Sequence, residues 1–98
     1  MKKKILIVED NVGLSQMQKD WFSQAGYEAV TAMNEPIARS LIRKTQFDLI
    51  LSDVRLPEGD GISLLEWLRK EKKDIPFIIT TEYVSVPDVV RTIKLGAI

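Results

Sequence analysis

The chain has 98 residues, 45% of them hydrophobic and 29% charged, which fits one small globular domain at residues 1–98. Lys and Arg together number 14, as do Asp and Glu, so no net charge draws the chain to nucleic acid or to an anionic membrane. The absence of Cys and His excludes disulfides, imidazole zinc ligands and Ser-His catalysis, and the apolar run behind the first lysines is too short for a signal peptide or a membrane span.

Apolar runs and turn residues predict alternating strands and helices in the first half of the chain. Residues 5–8 are branched and apolar, as in a strand buried on both faces, and residues 27–32 predict a second strand. Between them lies a helical pattern that Gly26 is placed to end in a left-handed conformation. Asn34 is placed to cap a second helix. The apolar positions that indicate the first helix are Leu14, Met17, Trp21 and Ala25, and those expected on the buried face of the second are Ile37, Ala38, Leu41 and Ile42.

The same alternation continues in the second half of the chain. Residues 47–52 predict a third strand, and a dense turn signal at residues 57–61 leads into a third helix. Gly61 is expected to shape that turn and to open the helix. Residues 77–80 predict a fourth strand, and a capping-box signature then predicts a fourth helix. The capping pair is Ser85 and Asp88, and the buried stripes are Ile62, Leu65 and Leu68 on the third helix and Val86, Val89, Val90 and Ile93 on the fourth.

Strand–helix repeats with short connections favour an α/β fold. We expect a doubly wound parallel sheet with helices on both faces, because crossovers between parallel strands are right-handed. The carboxyl ends of such strands meet along one edge, and open α/β sheets bind their ligands there. A functional site is therefore expected where the first and third strands end.

Acidic side chains stand at those two strand ends. Glu9 and Asp10 directly follow the first strand, and Asp53 closes the third. Three carboxylates brought together would repel one another unless a divalent cation neutralised them. This pattern predicts an acidic magnesium site with one carboxylate left to react. Alternatively, Glu9 and Asp10 only supply favourable negative charge at the start of the first helix.

Three segments in a fixed order resemble the receiver domain of response regulators in two-component signalling. They are residues 7–11 with the acidic pair, residues 53–61 with the lone Asp and the Pro and Gly that follow it, and residues 76–81 with a strand-end Thr. Residues 94–97 are similar to the end of the fourth helix in receivers attached to transcriptional activators of the nitrogen-regulation type. The resemblance covers the whole chain. It implies a flavodoxin-like topology with strand order 2-1-3-4, incomplete at its C-terminus because the chain ends before the fifth strand, the fifth helix and the lysine that receivers carry there.

The resemblance implies a role for each candidate site residue. Asp53 would take a phosphoryl group from the phosphohistidine of a histidine kinase, since a strand-end carboxylate is a competent nucleophile toward phosphorus. Asp10, Asp53 and the backbone carbonyl of Arg55 would ligate magnesium directly. Glu9 would reach the ion through a bound water. Thr81 would sense the phosphoryl group through its hydroxyl and so reposition the fourth helix.

The resemblance also implies partners and an output. We expect a cytoplasmic switch whose partners are a histidine kinase and an output domain, a DNA-binding transcription activator, outside this chain. The chain itself would bind neither membrane nor nucleic acid. It would not be a conventional enzyme, although autophosphorylation from small donors and autodephosphorylation fit its chemistry. Without a fifth strand, the fourth strand and fourth helix would be uncovered, which predicts self-association.

Two departures from the family pattern leave a second interpretation open. The expected lysine is missing, and Glu82 follows Thr81 where receivers usually have a small residue. The alternative is a receiver-like interaction or dimerisation module that works without phosphorylation. Two other classes fit less well. A magnesium-dependent aspartyl phosphatase needs an acid at the position of Arg55, and a flavin-binding module needs a loop rich in Ser, Thr or Gly where residues 9–11 are acidic.

Overall fold

The computed structural model describes residues 2–80 and 95–96, and this part of the chain forms alternating strands and helices. They are β1 (Lys4–Val8), α1 (Val12–Gln24), β2 (Glu28–Ala32), α2 (Glu35–Lys44), β3 (Leu49–Asp53), α3 (Gly61–Lys70) and β4 (Phe77–Thr80). The predicted alternation is confirmed for these elements. The predicted fourth helix, with its cap at Ser85 and Asp88, lies outside the described residues, as do Thr81 and Glu82.

The strands form one parallel sheet in the order β2-β1-β3-β4, so the predicted strand order is confirmed. In this register Val8 of β1 lies opposite Ala32 of β2 on one side and Ser52 of β3 on the other. Because the strands run in the same direction, β1 and β3 end at the same level. The residues that follow Val8 and Ser52 are therefore neighbours at the carboxyl edge of the sheet.

Side chains of β1 alternate between the two faces of the sheet. Leu6 and Val8 belong to the larger core cluster, which α2 and α3 cover. Ile5 and Ile7 lie in a second cluster, against which Phe22 of α1 packs. Because both faces of β1 are covered, its sequence is a continuous apolar run and not an alternating one. The other members of the larger cluster are Ala32, Ala38, Ile42, Phe47, Ile50, Leu64, Leu65, Leu68 and Phe77.

Helix α2 begins with the predicted cap, because the side-chain oxygen of Asn34 accepts a hydrogen bond from the backbone N–H of Ile37 at 2.9 Å. Its inner face consists of Glu35, Ala38 and Ile42, all of which are buried. Ile37 was predicted on this face but is 44% exposed, so that prediction is wrong. The buried positions repeat at intervals of three and four residues, and Ile37 lies about 100° around the helix from Ala38.

Helix α1 faces the sheet with a mixed stripe, in which two polar residues lie beside Phe22. Its buried residues are Ser15 and Gln18. The apolar residues that indicated the helix in the sequence are exposed: Leu14, Met17 and Trp21. The two stripes are offset by about one residue, or about 100° of rotation. Gly26, which follows the helix, has a φ of 95°, and the predicted left-handed conformation is confirmed.

Candidate functional site

Three carboxylates converge at the carboxyl edge of the sheet. Glu9 and Asp10 follow β1, and Asp53 is the last residue of β3. The three residues each offer a carboxylate oxygen, and these oxygens all lie within 4.8 Å of one another. The register of the parallel strands brings them together, since Val8 stands opposite Ser52. The structure thus assembles the acids that the sequence singled out, and their role as metal ligands stays a prediction.

The chemistry of this donor set suits a hard cation. Carboxylate oxygens are the ligands that magnesium and calcium prefer, and magnesium usually takes one or two carboxylates while it keeps several waters. Asp53 is partly exposed and Asp10 is exposed, which leaves solvent access for such waters. The residues present therefore fit a magnesium ion.

Glu9 is the most deeply buried of the three acids, with 5% of its surface exposed. Burial raises the pKa of the Glu9 carboxyl above its usual value, and the charges of Asp53 and Asp10 raise it further. The backbone N–H of Asn11, which donates to Oε2 of Glu9 at 3.1 Å, opposes this rise in pKa. The ionised form of Glu9 is thus disfavoured where it stands, and a bound cation would relieve that cost.

The loop that follows β3 is held against Asp53 by its own backbone. The N–H of Arg55 donates to Oδ1 of Asp53 at 3.2 Å, and Arg55 forms an antiparallel bridge with Asp60. The N–H of Gly61 donates to the carbonyl of Val54 at 2.8 Å. A Cβ atom at Gly61 would clash with the backbone carbonyl oxygen of Asp53. The expected shaping role of Gly61 is therefore confirmed, because only glycine lets α3 start this close to the end of β3.

Glu35 is a buried acid that the sequence did not single out. It is 4% exposed and forms an ion pair with Arg39, one turn further along α2. Its carboxylate also accepts hydrogen bonds from the backbone N–H of Asp60 at 3.0 Å and from the hydroxyl of Ser63 at 3.3 Å. The four-residue spacing of Glu35 and Arg39 was the available signal, but that spacing alone predicts only a surface pair.

Two guanidinium groups of α2 stack on an aromatic ring of α3. The guanidinium carbon of Arg39 lies 5.1 Å from the centroid of the Trp67 ring, and that of Arg43 lies 5.2 Å from it. Cations within about 6 Å of an indole ring are attracted to its face. Polar contacts thus join α2 to α3 on the outside of the apolar core.

Comparison with known proteins identifies the family. The model of the response regulator receiver domain matches residues 5–98, so the chain belongs to the response regulator receiver family. Sporulation initiation phosphotransferase F of Bacillus subtilis is 33% identical over 98 residues, which cover 100% of this chain and 79% of that protein. The "Probable transcriptional regulator ycf27" of Cyanophora paradoxa is 36% identical over 96 residues, which cover 98% of this chain. The chain spans only 40% of the length of that regulator.

Solved structures give the same result for the fold. The non-phosphorylated HemR receiver domain of Leptospira biflexa matches with a TM-score of 0.90 and 38% sequence identity, covering 98% of this chain and 77% of that one. The receiver resemblance read from the sequence is confirmed, together with its doubly wound topology. Among the described residues, none of the helices has the length and apolar character needed to cross a membrane.

Proposed function

We propose that this receiver is a phosphoacceptor switch, in which Asp53 takes a phosphoryl group from the phosphohistidine of a histidine kinase. The observation that carries the proposal is the convergence of the Glu9, Asp10 and Asp53 carboxylates within 4.8 Å at the carboxyl edge of the sheet. Family membership over residues 5–98 supports the same assignment. Open α/β sheets bind their ligands at the carboxyl edge, and the acidic cluster lies at that edge.

A magnesium ion would be held by residues from both strand ends. Asp10, Asp53 and the backbone carbonyl of Arg55 would bind it directly, and Glu9 would bind it through a water. When bound, the ion supplies positive charge that offsets the carboxylates and the phosphoryl oxygens. The N–H of Arg55 donates to Oδ1 of Asp53 at 3.2 Å, and this hydrogen bond keeps Arg55 next to Asp53.

Asp53 is the nucleophile in the proposed reaction. A bond forms between its carboxylate oxygen and phosphorus while the P–N bond of the phosphohistidine breaks, and the imidazole leaves with the electron pair of that bond. The chain contains no His, so the phosphoryl group must come from a partner or from a small donor such as acetyl phosphate. The partly exposed position of Asp53 leaves it accessible to such a donor.

Phosphorylation would then act on a pre-existing conformational equilibrium. The hydroxyl of Thr81, which lies outside the described residues, would donate to a phosphoryl oxygen on Asp53 and favour one of two conformations. The output would be control of transcription in the cytoplasm, through a DNA-binding domain beyond these residues. The similarity to the "Probable transcriptional regulator ycf27" of Cyanophora paradoxa supports this class of output.

Phosphate-affinity electrophoresis with acetyl phosphate and magnesium tests the proposal. The unsubstituted chain should give a retarded, base-labile band that Asp53→Asn lacks. Asp74→Asn is the matched control, because the same change is made at an exposed residue ahead of β4, at the opposite end of the sheet. Equal labelling of Asp53→Asn and Asp74→Asn would mean that the phosphoryl group is carried elsewhere.

A second candidate function is association between copies without phosphorylation. Strand β4 stands at the end of the described sheet order, and Ile78 and Ile79 on it are only partly buried. An edge strand offers unpaired backbone groups to another chain. Sedimentation at several protein concentrations tests this candidate, and a monomer at every concentration would contradict it.

A further inference from the structure

A polar cluster away from the three acids joins the start of α2 to the loop that follows Asp53. Its centre is the carboxylate of Glu35, which accepts from the Asp60 N–H at 3.0 Å and from the Ser63 hydroxyl at 3.3 Å. We call these three residues the Glu35 clasp. Arg39 forms an ion pair with Oε2 of the same carboxylate and compensates the buried charge.

The clasp also fits closely against the loop backbone. The N–H of Glu35 donates to the carbonyl of Glu58 at 3.3 Å. Gly59 has a φ of 85°, and a Cβ atom there would overlap the side chain of Glu35. The loop and the carboxylate can therefore lie together only because residue 59 is glycine, which tolerates both the left-handed conformation and the close approach.

A continuous series of contacts leads from the clasp to the phosphoacceptor. Glu35 binds the N–H of Asp60, and Asp60 is bridged to Arg55 by antiparallel pairing. The N–H of Arg55 in turn donates to Oδ1 of Asp53 at 3.2 Å. The side chain of Asp60 also caps α3 through the N–H of Ser63 at 2.6 Å, which fixes the far end of the loop. The conformation of Arg55, in the loop after β3, is thus tied to the carboxylate of Glu35 on α2.

We propose that Glu35 is a positioning residue for the metal and phosphoacceptor site, and this inference rests on the proposed function of that site. Glu35 holds the loop after β3 in the conformation that offers the Arg55 carbonyl to magnesium. None of its described contacts is with Asp53, so it acts through Asp60 and Arg55. Outer partners of this kind determine how well a ligand is oriented before the metal arrives.

The reach of the side chain and its negative charge can be separated by substitution. Glu35→Gln keeps an oxygen that can accept from the Asp60 N–H but removes the charge. Glu35→Asp keeps the charge but withdraws the carboxylate by one methylene. Glu58→Gln removes a charge from the same loop at an exposed position. Glu58 and Glu35 line the same cavity of about 440 Å³, together with Pro36, Arg39, Arg43 and Gly59.

The experiment is a magnesium titration of the full chain by calorimetry, at a temperature below every unfolding transition, with amide hydrogen exchange of Asp60 measured beside it. Glu35→Ala and Glu35→Asp should weaken magnesium binding, by roughly tenfold in the first case, and should speed exchange at Asp60. Glu35→Gln and Glu58→Gln should stay within about twofold of the unsubstituted chain, because both keep the loop in place. If Glu35→Ala does not fold, Glu35→Asp carries the test.

Two results would overturn the inference about Glu35 and leave the proposed function of the site intact. One is magnesium binding by Glu35→Asp as tight as that of Glu58→Gln, despite faster exchange at Asp60. The other is a greater loss of magnesium binding in Glu35→Gln than in Glu35→Asp, which would show that the charge of residue 35 matters more than its reach. Failure of the proposed function looks different, since the unsubstituted chain and Asp53→Asn would then bind magnesium equally well or not at all.

Discussion

Replacing Gly61 by alanine should both destabilise the fold and disturb the candidate site. The added Cβ would clash with the carbonyl oxygen of Asp53, and it would lie 3.0 Å from Oγ of Ser52 and 3.1 Å from the carbonyl carbon of Asp53. The Asp53 atoms belong to the backbone of β3, which pairs with β1 on one side and β4 on the other, so they cannot move aside as the end of a flexible side chain would. Overpacking of this kind costs about 1–3 kcal/mol, and the rigid surroundings place Gly61→Ala toward the upper end.

Urea unfolding followed by circular dichroism measures this free energy. A loss of about 2–3 kcal/mol corresponds, in a domain of this size, to a fall in Tm on the order of 10–20 °C. Gly13→Ala is the control, because its Cβ would meet only Oδ1 of Asn11 at an ordinary 3.5 Å. Because Gly13 lies in the first turn of α1, that change should stabilise the chain by at most the value for a helix interior, about 0.5–1 kcal/mol. Unchanged stability in Gly61→Ala would refute the idea that α3 starts in direct contact with the backbone of β3.

Three further predictions concern the acids and the second helix. Asp10→Asn and Asp53→Asn should each weaken magnesium binding sharply in calorimetric titration, because each removes a direct ligand. Glu9→Gln should weaken it less, because Glu9 acts through a water. Unchanged affinity in both Asp variants would rule out the acidic site. Because the pKa of Glu9 is raised, the folded chain holds the proton of the Glu9 carboxyl more tightly than the unfolded chain does. Without magnesium, the free energy of unfolding should therefore fall as the pH rises from the usual pKa of 4.5 through the raised pKa. Glu9→Gln should remove that component from urea unfolding curves measured across this pH range, and an identical pH dependence in both chains would contradict the assignment. Asn34→Ala should cost about 1 kcal/mol in thermal unfolding, because the N–H of Ile37 loses its cap, and an unchanged Tm would show that the cap contributes nothing.

Strands β1, β3 and β4 were predictable because each contains a short apolar run. β4 has the predicted bounds, and β1 begins one residue earlier than predicted, at Lys4. Phe47 was predicted to lie in the third strand, yet it precedes β3 and is only 3% exposed. Its side chain enters the core from a loop, so an apolar residue next to a strand does not show where pairing begins.

The faces of the helices were harder to predict than their existence. In α1 the polar residues Ser15 and Gln18 face the sheet, while the more apolar stripe is exposed. Hydrophobic spacing shows that a segment is helical, but the direction it faces depends on the elements packed against it.

The acidic site and the Glu35 clasp differ in what the sequence can reveal about them. Glu9, Asp10 and Asp53 stand directly at strand ends, so the fold alone predicts that they meet. Glu35 is buried by contacts with Asp60 and Ser63, which are 25 and 28 residues away along the chain. Nothing local to Glu35 indicates those partners, and its contacts became visible only in three dimensions.

The stacking of Arg39 and Arg43 on Trp67 provides an intrinsic optical reporter. The emission energy of an indole responds to nearby charge, and these cations lie 5.1 and 5.2 Å from its ring centroid. The chain has 2 Trp residues, and the other, Trp21, is 61% exposed. Trp21→Phe would therefore leave a single indole whose spectrum reports on the contact between α2 and α3. Because Arg39 also pairs with Glu35, a movement of the loop after β3 would appear in solution as a shift in the emission wavelength of Trp67.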